Sequence, residues 1–473
     1  MGSPALVGSI YNGIEIYLMS DTTARPNKAP NMLAPNADDT GLKGAPGNPE
    51  RLGKEGKRAL IAAMSGTVIE WYDYALYGAA AGLVIGPLFF QGSAVGGQLA
   101  AFATFAVGFV ARPLGGVLIG HIGDSWGRRP AMMLSIMLMG IATVGIGLLP
   151  TQVLIGVAAP ILLVLFRLIQ GMGAGAELAG AMTIVAEFAP LRMRASFTAL
   201  VLSTPPLGMA MATGAFLAVS SLGEEALLGG AWRIPFLASA VLFAVAIFIR
   251  RRLEETPEYV AAVQRTEEQR EEIPFVALLK KSWREVVIGF GAVTGHNALN
   301  YAMAVFGISL MTSPAVGMER PTALAAVTLG TLAGVLGTPF GGLAADKFGA
   351  GRVLAIGSLC AAVFAFPLFN ALSSGNAVLA GVMIAVGYGF IIAMTSGAQG
   401  AFLASLFGAR ERYSGIALAR ELNGAVVAGF TPLVLAWIIQ ASGGRVIFGA
   451  IAVAICCAIS VASVLAARTR TVH

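Results

Sequence analysis

Four carboxylates stand in stretches of this chain that are otherwise apolar. Glu70 and Asp73 lie in GTVIEWYDYALYG (66–78), Glu177 in RLIQGMGAGAELAGAMTIVAEFAP (167–190), and Glu421 in RYSGIALARELNGAVVAGFTP (412–432). Arg112, Arg167 and Arg420 occupy the same kind of surroundings. One charged side chain costs about 2.5–3.5 kcal/mol at mid-membrane on insertion scales, so seven left unpaired would cost roughly 20 kcal/mol. These groups must therefore pair, face water or hold protons. A buried carboxylate can hold either a proton or an arginine, and a guanidinium grips a carboxylate through two hydrogen bonds. The chemistry this suggests is proton coupling combined with recognition of an anion.

Helical spacing groups further residues with them. Glu70, Asp73, Tyr74 and Tyr77 follow i, i+3, i+4, i+7 along one helix face. Arg167, Gln170 and Glu177 share a second stripe, with Gly171, Gly173 and Gly175 beside them to allow close packing. The aromatic and glycine members of both stripes read equally as packing, whereas packing alone does not favour a buried charge. In GHNALNYAM, His296 and Asn300 are i, i+4, as are Asn297 and Tyr301. His296 could touch a solute or a proton, or simply be hydrogen-bonded in the core. Metal and enzyme chemistry find no support. Cys360, Cys456 and Cys457 lie in apolar runs without ligand spacing, and no nucleophile–base pair or phosphate loop is present.

The elements that must position these groups are membrane helices. Hydrophobic residues make up 56% of the 473, charged residues 12%, and the mean hydropathy is +0.77. A soluble chain carries about twice that charged fraction. Apolar segments at 59–86, 97–121, 131–149, 157–187, 196–221 and 231–249 are followed by a second set at 286–311, 322–345, 353–372, 376–407, 414–440 and 446–467. The expected fold is an all-α membrane protein of twelve transmembrane helices in two pseudo-symmetric six-helix bundles. The domains are then a disordered N-terminal tail (1–57), a first bundle (58–252), a central loop (253–285), a second bundle (286–468) and a short C-terminal tail (469–473). Residues 1–18 precede a more ordinary start at Met19, and are expected to be foreign to the natural protein.

Charge orients the bundle. With both termini cytoplasmic, the inner loops and C-terminus carry eighteen Lys and Arg, and the outer loops only Arg233, Arg320 and Arg445. This asymmetry also accounts for the pI near 9.3 without nucleic acid as a partner. At about 1.5 Å per residue, Glu70, Arg112 and Glu177 sit roughly 13–17 Å above the inner surface, a polar layer near the midplane. Arg167 lies higher, Arg420 and Glu421 somewhat lower.

The halves repeat. GHIGDSWGRR (120–129) and GLAADKFGAGR (342–352) occupy corresponding loops, with Asp124 and Asp346 222 residues apart. Arg192-Met-Arg194 and Arg410-Glu-Arg412 form a second pair at an offset of 218. Paired halves of this kind build alternating-access transporters, with the site at their interface. The glycine-rich loops either serve only as orientation signals or form a breakable polar latch between helices.

Together these stretches, with WRIPFLASA and RRRLEETPEY around span six, resemble the metabolite:proton symporters of the major facilitator superfamily over about residues 58–468. That family includes uptake systems for proline/betaine, α-ketoglutarate, citrate and shikimate. The resemblance implies rocker-switch access and a latch made of Gly120, Asp124, Gly127, Arg128 and Arg129, with Asp346, Lys347 and Arg352 as its second copy. Ser125 stands where the family usually has a basic residue, the second copy keeps only Lys347 and Arg352, and relatives often have uncharged residues in place of Arg420-Glu421.

The expected function is proton-coupled uptake of a small organic acid or zwitterion across the inner membrane, by a monomer whose only cofactor is the coupling proton. Glu70, Asp73, Glu177 and Glu421 are the proton-coupling candidates. Arg112, Arg167, Arg420, Tyr74, Tyr77, Gln170, His296, Asn297, Asn300 and Tyr301 are the solute-binding candidates. The alternative is a proton-driven exporter with the same fold. Exporters often carry GxxxGPxxGG in span five, where this chain reads STPPLGMAMATGAFLA.

Overall fold

A computed structural model describes residues 54–92, 94–126, 128–175, 185, 191–251, 275–408 and 411–468. The expected N-terminal tail up to residue 53, most of the central loop, Gly127, Glu177 and the last five residues lie outside the described residues. Helices occupy each of the twelve apolar segments. They are α1 (Lys54–Ala80), α2 (Ala94–Trp126), α3 (Arg128–Leu148), α4 (Ala158–Gly173), α5 (Arg194–Ser220) and α6 (Arg233–Arg251), then α7 (Phe275–Tyr301), α8 (Arg320–Phe348), α9 (Ala350–Leu372), α10 (Ala377–Leu406), α11 (Ser414–Ala441) and α12 (Val446–Arg468). No strand occurs among the described residues. In hydrocarbon each backbone N–H and C=O must be satisfied within its own segment, and apolar runs of this length achieve that only as helices.

Seven of these helices are long and apolar enough to cross a membrane by length and composition, and an eighth span forms if Glu224–Ala231 is joined to α6 across a 51° bend. The polar residues of interest reside largely on helices outside that strictly apolar set, notably α1 and α7. The outward faces are apolar, with Leu329, Leu336, Phe340 and Val363 all exposed. Exposed apolar surface on this scale fits contact with lipid acyl chains.

The internal repeat is visible in the backbone. A π-helical segment, Ala81–Ile85, follows α1 and leads into Gly86–Phe89, and its counterpart Ala302–Phe306 follows α7 and leads into Gly307–Met311. Close packing repeats as well. A β-carbon on Gly171 would lie 2.0 Å from the Gly108 carbonyl and one on Gly175 2.1 Å from the Arg112 carbonyl, so α4 sits directly on α2. In the second half, Gly337 and Gly341 bring α8 equally close to the Gly389 and Ala393 carbonyls of α10. The glycine stripe of span four is therefore a packing surface, and it fixes Arg112 and Arg167 relative to each other. The two halves meet where α5 packs on α8, where α2 packs on α11, and where the end of α1 meets the end of α7.

Candidate functional site

Arg112 lies in α2, one residue before Pro113, and is buried at 6% exposure. Its Nη2 donates to Glu70 Oε1 of α1 at 2.8 Å. Its Nε donates to Glu421 Oε2 of α11 at 2.7 Å, and Nη2 also reaches Glu421 Oε1 at 3.3 Å. One guanidinium thus holds a carboxylate from its own half and another from the opposite half. The Tyr74 ring lies beside it, with its centroid 4.9 Å from the guanidinium carbon.

Asp73, one helical turn from Glu70, belongs to a separate cluster. It is fully buried and accepts hydrogen bonds from Gln170 Nε2 at 2.7 Å and from the Thr143 hydroxyl. Gln170 in turn accepts from Arg167. Arg167 donates to the Phe105 carbonyl at 3.0 Å and the Thr104 carbonyl at 3.3 Å, and stacks on the Tyr77 ring at 4.0 Å. The Tyr77 hydroxyl bonds Thr104. Sequence reasoning offers Arg167 as a gripper of solute carboxylate. The structure surrounds it with carbonyls and rings, and it lines neither of the two central cavities, so that it reads as a buried strut behind Asp73. Tyr77 and Gln170 likewise support this cluster and line neither central cavity. The two clusters meet through Tyr74, whose ring also lies 5.8 Å from Arg167.

Two narrow cavities occupy the centre, each with room for about one water. The centre of the molecule is therefore tightly packed around them. The first is lined by Trp71, Tyr74 and Tyr301, among others. Trp71 stacks on Tyr301 across the halves at 6.4 Å, and Tyr301 packs edge-on against Phe105 and Phe109. Trp71 Nε1 and Tyr74 Oη are buried without a hydrogen-bond partner. Orphaned donors are rare in folded cores, and here both belong to residues lining the same space.

The second cavity has two unlike walls. The first half contributes Trp71, Leu202, Pro205, Pro206 and Met209, whereas the second contributes Ile392 and the polar His296, Asn297, Asn300, Ser396, Gln399 and Arg420. His296 Nδ1 pairs with Thr395 Oγ1 at 2.8 Å, Asn297 Nδ2 donates to Asn423 Oδ1 at 2.6 Å, and Arg420 Nη1 donates to Gln399 Oε1. Sequence reasoning missed Trp71, Thr143, Gln399, Thr395 and Asn423. Trp71 and Asn423 stood inside the quoted stretches of α1 and α11, but Thr143, Thr395 and Gln399 are ordinary polar residues of apolar helices and carried no signal of their own.

At the end of the bundle where α8 turns into α9, the Asp346 carboxylate accepts from the Ala195 and Ser196 backbone N–H groups, each at 2.9 Å, and from the Ser196 hydroxyl. Asp346 of the second half thereby caps the N-terminus of α5 in the first, where a negative charge is favoured. Gly349, at φ 92°, allows the turn that follows. Lys347 and Arg352 are exposed beside it. Gly120, Asp124, Arg128 and Arg129 fall within α2 and α3, but their side chains lie outside the described residues. Asp346→Asn is expected to remove about 1 kcal/mol of capping, about a fivefold shift towards opening at this end. A cysteine at buried Thr198, against Gly400 of α10, in a chain lacking Cys360, Cys456 and Cys457, should then be alkylated about five times faster than without the substitution.

Comparison with known proteins agrees with this architecture. Residues 63–422 match the family model described as Major Facilitator Superfamily. The chain is 35% identical to the inner membrane metabolite transport protein YhjE of Escherichia coli (strain K12), over 80% of this chain and 87% of that one. It is 35% identical to the shikimate transporter of the same strain, covering 82% and 89%. It is 32% identical to the proline/betaine transporter of Salmonella typhimurium (strain LT2), covering 82% and 78%. Among solved structures, the proton:xylose symporter XylE bound to 6-bromo-6-deoxy-D-glucose superposes with a TM-score of 0.70 over 88% of this chain and 95% of that one, at 16% identity. A polar layer joining two six-helix halves, a cross-half cap and matches of this extent lead to one conclusion: the chain belongs to the major facilitator superfamily, beside its metabolite, shikimate and proline/betaine transporters, and is a multi-pass membrane transporter rather than an enzyme.

Proposed function

We propose that this protein takes up a small carboxylate-bearing metabolite together with protons, by alternating access, with both termini on the cytoplasmic side of the inner membrane. The observation that carries the reading is Arg112 held jointly by Glu70 and Glu421, from opposite halves. A contact of this kind is intact only while the centre is occluded, so its making and breaking is tied to which face is open.

Formal charge supports coupling to protons. The mid-membrane layer read from the sequence holds three arginines, Arg112, Arg167 and Arg420, against four carboxylates, Glu70, Asp73, Glu177 and Glu421. A solute carboxylate entering such a layer adds one more negative charge, and a proton carried with it offsets that addition. Asp73 is the position we assign to the proton, because its direct partners Thr143 and Gln170 are neutral and Arg167 reaches it only through Gln170. The polar wall of the second cavity, with His296, Asn297, Asn300, Gln399 and Arg420, suits the hydrogen-bonding groups of the solute. The apolar wall with Trp71 suits its hydrocarbon side. The names of the relatives, transporters of shikimate and of proline/betaine, point to the same solute classes.

The test is uptake into vesicles holding the purified protein, with shikimate, proline and glycine betaine as probes. A monoanion travelling with one proton moves no net charge, so its accumulation should follow an imposed pH gradient, about tenfold per pH unit, and ignore membrane potential. A zwitterion with one proton moves one charge and should respond to both, gaining about 2.3 kcal/mol per 100 mV. Indifference of all probes to either gradient, or accumulation only against an outward-directed proton gradient, would overturn the reading.

A further inference from the structure

We propose that Glu421 is an internal stand-in for the solute's carboxylate: it holds Arg112 in the occluded transporter, and a solute carboxylate takes its place. The inference rests on the carboxylate reading above and adds a specific competitor to it. Glu421 engages Arg112 as a free carboxylate would, through Nε at 2.7 Å and Nη2 at 3.3 Å, the side-on fork of two donors. Glu70 takes only Nη2. Glu70 and Arg112 sit on α1 and α2 of one half and move together when the halves rock. Glu421 arrives from α11 of the other half, so it is the partner that rocking can withdraw.

Its position suits withdrawal. Arg420, the preceding residue, lines the second cavity, so a solute held on that wall lies one residue from the Glu421 backbone. Three residues beyond Glu421, α11 passes into the π-helical segment Gly424–Ala428, an irregularity of the kind frequent at functional sites. There α11 meets α2 through glycine: Gly424 approaches the Phe109 ring and Gly429 packs on Phe109 and Ala106. Glu421 faces Arg112 of α2, which in turn contacts Glu70 and the Tyr74 ring of α1, and Arg420 is its neighbour in the chain. Only Arg112 and Arg420 among these carry a fixed positive charge. No bond is made or broken covalently in the exchange. One carboxylate leaves the guanidinium and another accepts its two N–H groups, and solute binding thereby cuts the cross-half tie.

The experiment measures binding of shikimate and its methyl ester, and of proline and prolinamide, to the purified full chain by isothermal calorimetry. The proteins compared are wild type, Glu421→Gln and Glu421→Asp. Removing the competing charge should tighten both carboxylates about tenfold in Glu421→Gln and leave the ester and amide unchanged, with Glu421→Asp in between. Carboxylate affinity that is unchanged or weaker in Glu421→Gln, no carboxylate binding to that variant, or equal gains for the uncharged analogues would each overturn the proposal. Glu421→Asp keeps the charge and guards against loss of folding in the neutral variant. Gradient-driven uptake by the wild type is read separately, so coupled transport can stand while the competitor role fails.

Discussion

Arg112→Gln should abolish uptake and also destabilise the protein, the largest effect of any single change in the central layer. The substitution leaves Glu70 and Glu421 facing each other in the buried interface without the cation that both contact. Removing one member of a buried ion cluster typically costs about 3–5 kcal/mol, because the charges left behind are uncompensated. Thermal unfolding in detergent would show the loss, and a double-substitution cycle would assign it. Arg112→Gln with Glu421→Gln should recover part of the stability lost by Arg112→Gln alone, because the second change removes one stranded carboxylate. Arg112→Lys keeps the charge but not the fork, and should retain more stability than glutamine while losing most of the transport. If Arg112→Gln were as stable as wild type, the cross-half triad would contribute nothing to the occluded state.

Asp73→Asn should give the second large effect, of a different kind. The side chain keeps its shape and one acceptor oxygen, but its new amide faces the donors Thr143 and Gln170. Thr143 has a second acceptor in the Met139 carbonyl at 2.9 Å, so the hydroxyl can turn away. A loss of about 1–2 kcal/mol, in the range for one disturbed buried hydrogen bond, is expected and the fold should persist. Accumulation driven by a pH gradient should fall from about tenfold per unit to equilibration, while exchange of labelled for unlabelled solute continues. Retained accumulation in Asp73→Asn would move the proton to another carboxylate.

Much of this arrangement is legible in the residues themselves. The hydropathy of twelve segments, the loop charges and the two repeated loops are local or periodic features, and helices stand in all twelve positions. That Glu70 and Arg112 face each other follows from their similar depth on adjacent helices. The pairing of Arg112 with Glu421 does not, because it joins residues 309 apart across the two halves, and only the packing of α2 on α11 through Gly429 brings them within reach. Arg167 shows the opposite limit. Its charge and depth suit anion recognition, but Gly108, whose missing side chain lets the guanidinium lie 2.1 Å from where a β-carbon would stand, seats it against α2 as a strut. Glu70 and Asp73, one turn apart on one face of α1, take different partners, Arg112 of α2 and Thr143 with Gln170 of α3 and α4, and so belong to two clusters joined through Tyr74.

The most direct test of coupled transport is the movement of protons itself. Vesicles holding the purified protein are suspended in weakly buffered medium without any imposed gradient, and the external pH is followed when shikimate is added. Coupling through the buried layer predicts alkalinisation outside at about one proton per solute molecule entering, lost in Arg112→Gln and in Asp73→Asn. Entry of shikimate with no change in external pH would contradict it.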